Sequence, residues 1–465
     1  MGDRRKSKRT RSKALKEMRL KEDAISELPD PLICQILCHL PTKEAVRTSV
    51  LSTRWKTLWL WIPRLNLSFG DRFFDSTRAS CLDEFQVHIG KHNDKVEVVT
   101  SRLASWIDAA AKRKIQHLSV RFLSNTHKKM PSSLYNCEKL VSLDLHTVDL
   151  ANGEFVSLPC LKTLYLTDNL YPNEETFERL VSSSPVLEEL VIHGDFESDA
   201  IVFRVRSVSL KSLIVSKFLF DRRVRGLGVV IDAPRLCFLR VDDSCSESYK
   251  IAKVDSSLLK LDLSLGSYGI RTMDLCYTRL ASAVRRFRGF VPVMSKVRDM
   301  TLSAQMFEVL YEYSRSEPLS RFGYMSSLHL RLCVPQYQLL PTVLESFPNL
   351  KSLVLACRDV YYQVCRDFFN IEDEVCFSSV PECLLSSLEF VDFKDPVEGY
   401  PAEMKLVKYL LKNSAVLKKL TLRLEESSSA KDEIFKKLLK ITRGSTQCKV
   451  DILLVKKRKQ SEEVV

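Results

Sequence analysis

Leu140-Val141-Ser142-Leu143-Asp144-Leu145 is one copy of a phrase that recurs along most of this chain: an apolar residue, two others, then apolar-x-apolar. Further copies begin at Leu161, Leu187, Leu210, Leu236, Leu258, Val297, Leu350 and Leu417, with a weaker one at Met325. The fourth positions Leu143, Leu164, Leu190, Leu213, Leu239 and Leu261 lie 21, 26, 23, 26 and 22 residues apart. Each apolar-x-apolar pair reads as a short strand whose alternate residues point inward. Each connecting half, such as 174–184, has room to return as a helix or irregular arm. One such unit cannot bury its own apolar edge, so neighbours must stack into an α/β solenoid with a parallel sheet on one face. Ser184-Pro185 and Phe347-Pro348 precede strands, where proline stops the returning arm. The gaps from 261 to 300 and from 353 to 391 exceed one unit and imply an insertion or a degenerate repeat. Ile115-Gln116-His117-Leu118-Ser119-Val120 reads as the first strand, preceded by a helix over 98–111 with Leu103, Trp106 and Ile107 on one side.

Upstream, Asp23–Trp61 holds three short amphipathic patterns. Asp30 is placed to cap the first helix and Pro31 suits its first position. Leu32, Ile33, Ile36, Leu37 and Leu40 follow at helical spacing until Pro41. Thr42 is placed to cap a second helix bearing Ala45, Val46, Ser49 and Val50. Ser52 is placed to cap a third, Thr53–Leu60, with Trp55, Leu58 and Trp59. These apolar residues outnumber what three short helices hide among themselves. A face left for a partner is therefore expected.

The run Leu28-Pro29-Asp30, Ile36-Leu37, Leu40-Pro41, Val46, Ser49-Val50-Leu51-Ser52, Arg54-Trp55 and Leu58-Trp59 resembles the plant F-box. That resemblance implies docking on a Skp-type adaptor, and through it on a cullin–RING ubiquitin ligase. It implies that Leu28, Pro29, Leu32, Ile33, Ile36 and Leu37 face the adaptor, with Val46, Leu51 and Trp55 at core or rim. The repeats resemble the leucine-rich repeats of plant F-box proteins. They depart from the regular consensus, because most lack the Asn that Asn169 supplies after Leu166, so their turns must satisfy backbone groups in another way. From Val380-Pro381-Glu382-Cys383-Leu384 through Leu388-Glu389-Phe390-Val391-Asp392-Phe393 to Leu417-Lys418-Lys419-Leu420, the chain resembles the FBD region that follows such repeats. Here Phe377 stands near the place of the usual Trp. Two strands should flank a helix at 402–413, closing the solenoid's end as a cap.

The net charge of +13 is concentrated at the ends. Residues 1–21 hold ten Lys/Arg against two acids, and the last fourteen hold four against two, so the 430 between carry only +3. A phosphate-binding face spread over the fold is not expected from so small a charge, and nucleic acid is not an expected partner. Arg4, Arg5, Lys6, Lys8 and Arg9 read as a nuclear-import signal or a weak polyanion contact on a solvated arm, and Lys456–Lys459 as a second import cluster. A nuclear or cytoplasmic location is expected, and no apolar run reaches membrane-spanning length. The 14 Cys have no framework spacing and read as reduced thiols. Cys34, Cys38 and His39 form the sharpest metal candidate. They lack a second pair at finger spacing, and their helix needs that face, so no metal and no cofactor are expected. Phosphate-cradling, nucleophile-elbow and zinc-protease motifs are absent from the chain.

The expected organisation is a basic arm at 1–21, an F-box at 22–66, an irregular leucine-rich-repeat solenoid at 67–376, an FBD-type cap at 377–451 and a tail at 452–465. The expected role is a non-catalytic subunit that brings a protein substrate to the ligase. The alternative is a nuclear leucine-rich-repeat scaffold without ligase assembly. A small ligand in the concave face is a weaker third reading.

Overall fold

The computed structural model describes residues 25, 27–68, 82–90, 96–123, 127–152, 155–194, 202–217, 228–243, 246–252, 258–265, 276–317, 319–356, 375–426 and 431–456. The chain divides into two compact units, Met1–Leu161 and Lys162–Val465. The division falls within the stretch expected to form one solenoid.

The first unit opens with helices α1 (Asp30–Leu37), α2 (Thr42–Arg47) and α3 (Trp55–Leu58). Four parallel strands follow, β1 (Arg64–Ser68), β2 (Glu84–Ile89), β3 (His117–Phe122) and β5 (Ser142–His146), with a minor pair β4 (Lys128–Lys129) and β6 (Val148–Asp149). Helix α4 (Val96–Lys112) buries Leu103, Ile107 and Ala110. The strand expected to be first is in fact the third. Ile62-Pro63-Arg64-Leu65-Asn66-Leu67 and Leu82-Asp83-Glu84-Phe85-Gln86-Val87 are two earlier copies of the same phrase. Their register is that of the later rungs: Leu65 pairs Phe85, Phe85 pairs Leu118, and Leu118 pairs Leu143.

The second unit repeats the pattern through β7 (Thr163–Thr167), β8 (Glu189–His193), β10 (Ser212–Lys217), β12 (Phe238–Asp243), β14 (Lys260–Ser264), β15 (Asp299–Leu302), β16 (Ser327–Arg331), β17 (Ser352–Ala356), β18 (Phe390–Pro396), β19 (Lys419–Glu425) and β20 (Lys449–Val455), all parallel. The fourth positions fall into one row, in which Leu164 pairs Leu190, Leu213, Leu239, Leu261 and Met300 in succession. Each of these side chains is fully buried. Main chain supplies what the missing Asn ladder does not. Glu188 and Glu189 both donate their N–H to Lys162 O at 2.8 and 3.0 Å, Lys211 and Ser212 do the same to Glu188 O, and Lys418 and Lys419 to Glu389 O.

The returning arms divide into two kinds. Between β8 and β14 they are strands: β9 (Val202–Arg206), β11 (Gly228–Asp232) and β13 (Ser248–Ile251) form a second parallel sheet. This corrects the expectation of helical or irregular arms there. Phe203, Val205, Val229, Ile231 and Tyr249 alternate inward with period two, which suits strands and not helices. Elsewhere helices return: α5 (Glu174–Ser182), α6 (Cys276–Arg288), α7 (Val291–Met294), α8 (Ala304–Ser316) and α9 (Leu340–Leu344). Both long gaps are insertions, since β14 pairs directly with β15 and β17 with β18, leaving no place for a degenerate rung between them.

Where strand arms give way to helices, a polar knot is buried. Asp243 accepts from Ser246 N and Oγ at 3.0 and 2.5 Å and from the Tyr249 hydroxyl. Burial opposes its charge, but Lys217 and these hydrogen bonds hold the carboxyl below its ordinary range. Arg286 of α6 donates to Ser246 O and Leu265 O at 3.0 and 2.8 Å. Beside it, a Cβ on Gly289 would stand 2.0 Å from Tyr249 O, so this approach of main chain to main chain requires glycine.

The C-terminal segment adds α10 (Glu382–Ser386), α11 (Pro401–Asn413) and α12 (Lys431–Leu439). The helix expected at 402–413 is thus present, flanked by β18 and β19. It is not the end of the stack, because α12 and β20 add one more rung. In the turn before α11, Gly399 takes φ +89°, and Glu403 Oε2 accepts from the N–H groups of Glu398, Gly399 and Tyr400 at 3.0, 2.9 and 3.1 Å.

Leu213→Ala empties a fully buried place in the central row and is expected to cost about 2–5 kcal/mol, read from the urea midpoint. A second test concerns Glu403, whose carboxyl is pushed up to about 7 by burial against the pull of its three N–H donors. A value raised on folding contributes stability at low pH that is lost as pH climbs through about 7. Relative to Glu403→Gln, the unaltered chain should lose about 2 kcal/mol between pH 5 and 8 in urea titrations. Parallel pH profiles for the two would refute this.

Candidate partner-docking face

Helices α1 to α3 enclose a small core of Ile33, Leu37, Ala45, Trp55, Leu58 and Ile62. Pro29 precedes α1 in extended backbone, and no side chain caps that helix. Asp30, expected as the cap, is instead its first residue and pairs with Arg54 at 2.6 Å, while Arg54 also donates to Leu28 O. The guanidinium thereby ties the Leu28-Pro29-Asp30 entry to the start of α3. Thr42 likewise is no cap. Its Oγ1 accepts from Asn66 N at 2.8 Å and joins α2 to β1. Ser52 makes no side-chain cap either, and α3 is shorter than the Thr53–Leu60 expected, its last turn tightening to 3₁₀ over Trp59–Trp61.

The apolar residues of α1 fall on two stripes. Ile33 and Leu37 are 0 and 1% exposed and lie in the core, whereas Leu32, Ile36 and Leu40 are 44, 42 and 40% exposed. Ile33 and Leu37 are therefore corrected from partner-facing to core residues: α2 and α3 close over their side of the helix. Trp55 is also core. Pro29 and Leu51 are exposed, Leu28 and Val46 half-buried, and Val50, at 85% exposure, is not among the residues expected to meet the adaptor. A two-stripe wheel of α1 was readable in advance, but which stripe α2 and α3 cover was not. The result is a closed core with an apolar stripe left in water.

Cys34 donates its thiol to Leu58 O at 3.7 Å, and burial raises its pKa and that of Cys38. The thiols thus serve packing. Arg4, Arg5, Lys6, Lys8 and Arg9 lie outside the described residues.

Much of the C-terminal signature points inward, although Val380 and Phe390 are 42 and 43% exposed. Cys383, Leu384 and Leu388 are fully buried, and burial pushes the Cys383 thiol up to about 12. Phe377 stacks on Tyr409 of α11 at 4.1 Å and 22°, and the Tyr409 hydroxyl donates to Ser379 O at 2.8 Å. The aromatic at 377 thus pins the segment before α10 to α11. Among the described residues, no helix is long and apolar enough to cross a membrane.

Three family models match the chain: F-box domain at residues 25–67, the LRR repeats of FBD-associated F-box protein At5g56370 at 103–257, and FBD at 377–422. An F-box/FBD/LRR-repeat protein of Arabidopsis thaliana, At2g05300, is 49% identical over 452 residues, covering 93% of this chain and 98% of its own. An FBD-associated F-box protein of the same plant, At5g53635, is 47% identical over 443 residues, covering 92% and 99%. A second FBD-associated F-box protein, At5g22730, is 41% identical over 456 residues, covering 92% and 94%. With its helical module, its stacked rungs and its C-terminal signature all matched in order, this chain belongs to the F-box/FBD/LRR-repeat protein family.

Proposed function

We propose that the chain is a substrate-recognition subunit of a Skp–cullin–F-box ubiquitin ligase. In this reading Leu32 and Ile36 of α1 and Leu40 in the turn after it, with Leu51 and the half-buried Leu28, seat on a Skp-type adaptor, and the repeats with the FBD segment hold a protein substrate. The supporting observation is the sealed core beneath an uncovered apolar stripe, since a helical module that satisfies itself has no need to keep three large aliphatic residues in water. F-box proteins are in general non-catalytic adaptors, and ubiquitin transfer would take place on other subunits. The chain's contribution is proximity: a substrate lysine held near the charged carrier reacts at a raised effective concentration.

Leu32→Ala/Ile36→Ala should weaken co-purification with the adaptor more than tenfold, because each buried aliphatic side chain contributes about 1.5–3 kcal/mol. Helical content should be unchanged, since neither residue is core. Full adaptor recovery with the double variant would overturn the reading in favour of a scaffold that never enters a ligase. Arg54→Ala frees the Leu28-Pro29-Asp30 entry and should weaken adaptor binding less, with about 0–1 kcal/mol lost in stability because the ion pair is exposed. Nuclear accumulation carried by Arg4, Arg5, Lys6, Lys8 and Arg9 is part of the proposal. Deleting residues 1–21 from a fluorescent fusion should shift it to the cytoplasm, and unchanged nuclear signal would remove the arm's role.

A further inference from the structure

The last rung of the second unit is open. In β19 the inward residues Leu420, Leu422 and Leu424 are fully buried, while their partners one rung on in β20, Val450, Ile452 and Leu454, are not. Leu454 is 54% exposed. The helical layer ends the same way: Ile434 and Leu438 of α12 are buried, but Phe435 and Leu439, one position on, are 39 and 81% exposed. Terminal units of stacked repeats ordinarily carry a polar outer face, and exposed strand edges ordinarily carry charge or proline. Lys449 and Asp451 charge the first half of β20, but its second half, Ile452-Leu453-Leu454-Val455, has neither, and no strand among the described residues pairs with the outer edge of β20.

The geometry points to a second copy of this chain as the occupant, joined end to end through β20. An edge strand offers main-chain N–H and C=O groups, so what fits it is another strand. A two-fold axis perpendicular to the sheet makes the two β20 strands antiparallel and keeps each copy's inward side on the same face. Residues that pair must then share a face, so their numbers sum to an even value. Centring on Ile452 matches the whole inward row with itself: Ile452 opposes Ile452, and Val450 opposes Leu454 of the other copy. The core would run on through both sheets, and α12 of each copy would bring Phe435 and Leu439 to the same junction. Self-matching of this kind is what a two-fold interface requires. The dimer would carry two repeat stacks, so one assembly would engage a substrate at two points.

Sedimentation and light scattering on the full chain test this. The expected result is a concentration-dependent species of twice 53.4 kDa. Leu454→Lys, tolerated in the single copy because the site is half-exposed, should weaken it at least tenfold without changing the thermal melt. Ile452→Cys should give an interchain disulfide under mild oxidation, whereas Val208→Cys, exposed but distant from β20 in the chain, should not. A chain monomeric up to about 50 µM would overturn the proposal and assign the edge to residues 457–465 or to a foreign strand. A dimer indifferent to Leu454→Lys, or an Ile452→Cys variant that does not cross-link, would overturn it equally.

Discussion

Two N–H groups sharing one carbonyl are the joint on which the stack depends. At each described step of this kind, adjacent residues at the head of one strand donate to a single main-chain oxygen at the head of the strand before it. A parallel sheet has no hairpin to set its register, so something local must do so. The shared carbonyl does it without any side chain. Once it is made, the strand cannot slip by one residue, which would turn its leucines to water. The inward row follows from the joint, and the buried core follows from the row.

The joint also explains what sequence reading reached and what it did not. The apolar spacing of the phrase made the rungs from Leu118 onward visible. The rungs at Leu65 and Phe85 obey the same geometry with Ile62, Leu67, Leu82 and Val87, yet they stand apart from the run of copies that begins at Ile115. The arms are harder, because a solenoid accepts any returning path that fills the layer behind the sheet. Only the period-two alternation at Phe203, Val205, Val229 and Ile231 distinguishes a strand arm from a helical one. In the helical module, spacing identified the apolar residues but not their sides. Neighbouring helices decide which stripe of α1 is covered, and that is a tertiary fact. Proposed caps failed for a related reason: Asp30 and Thr42 are used for contacts across the module, to Arg54 and Asn66, which local pattern does not show.

The two ends of the chain's described part divide their apolar residues in opposite ways. At α1 to α3, a complete core coexists with an uncovered stripe, so exposure there is additional to folding. At the C-terminal signature, Cys383, Leu384 and Leu388 are committed to the interior and a half-buried Phe377 stacks on Tyr409, so most of the segment's recognisable residues build the fold while Val380 and Phe390 stay exposed. Most of its signature therefore reports architecture, and any recognition by this segment must use outward positions such as Val380 and Phe390.

That inward placement has a consequence for how such chains diversify. The residues that define each rung are hidden, and the side chains between them, such as Ile214, Arg240 and Thr301, stand on the other side of the sheet. Exchanging one of those outward positions alters what the surface presents while leaving the carbonyl joints and the leucine row intact. A duplicated copy could thus drift toward a new target in small steps, each nearly silent in folding, and its relatives would keep one skeleton beneath dissimilar faces.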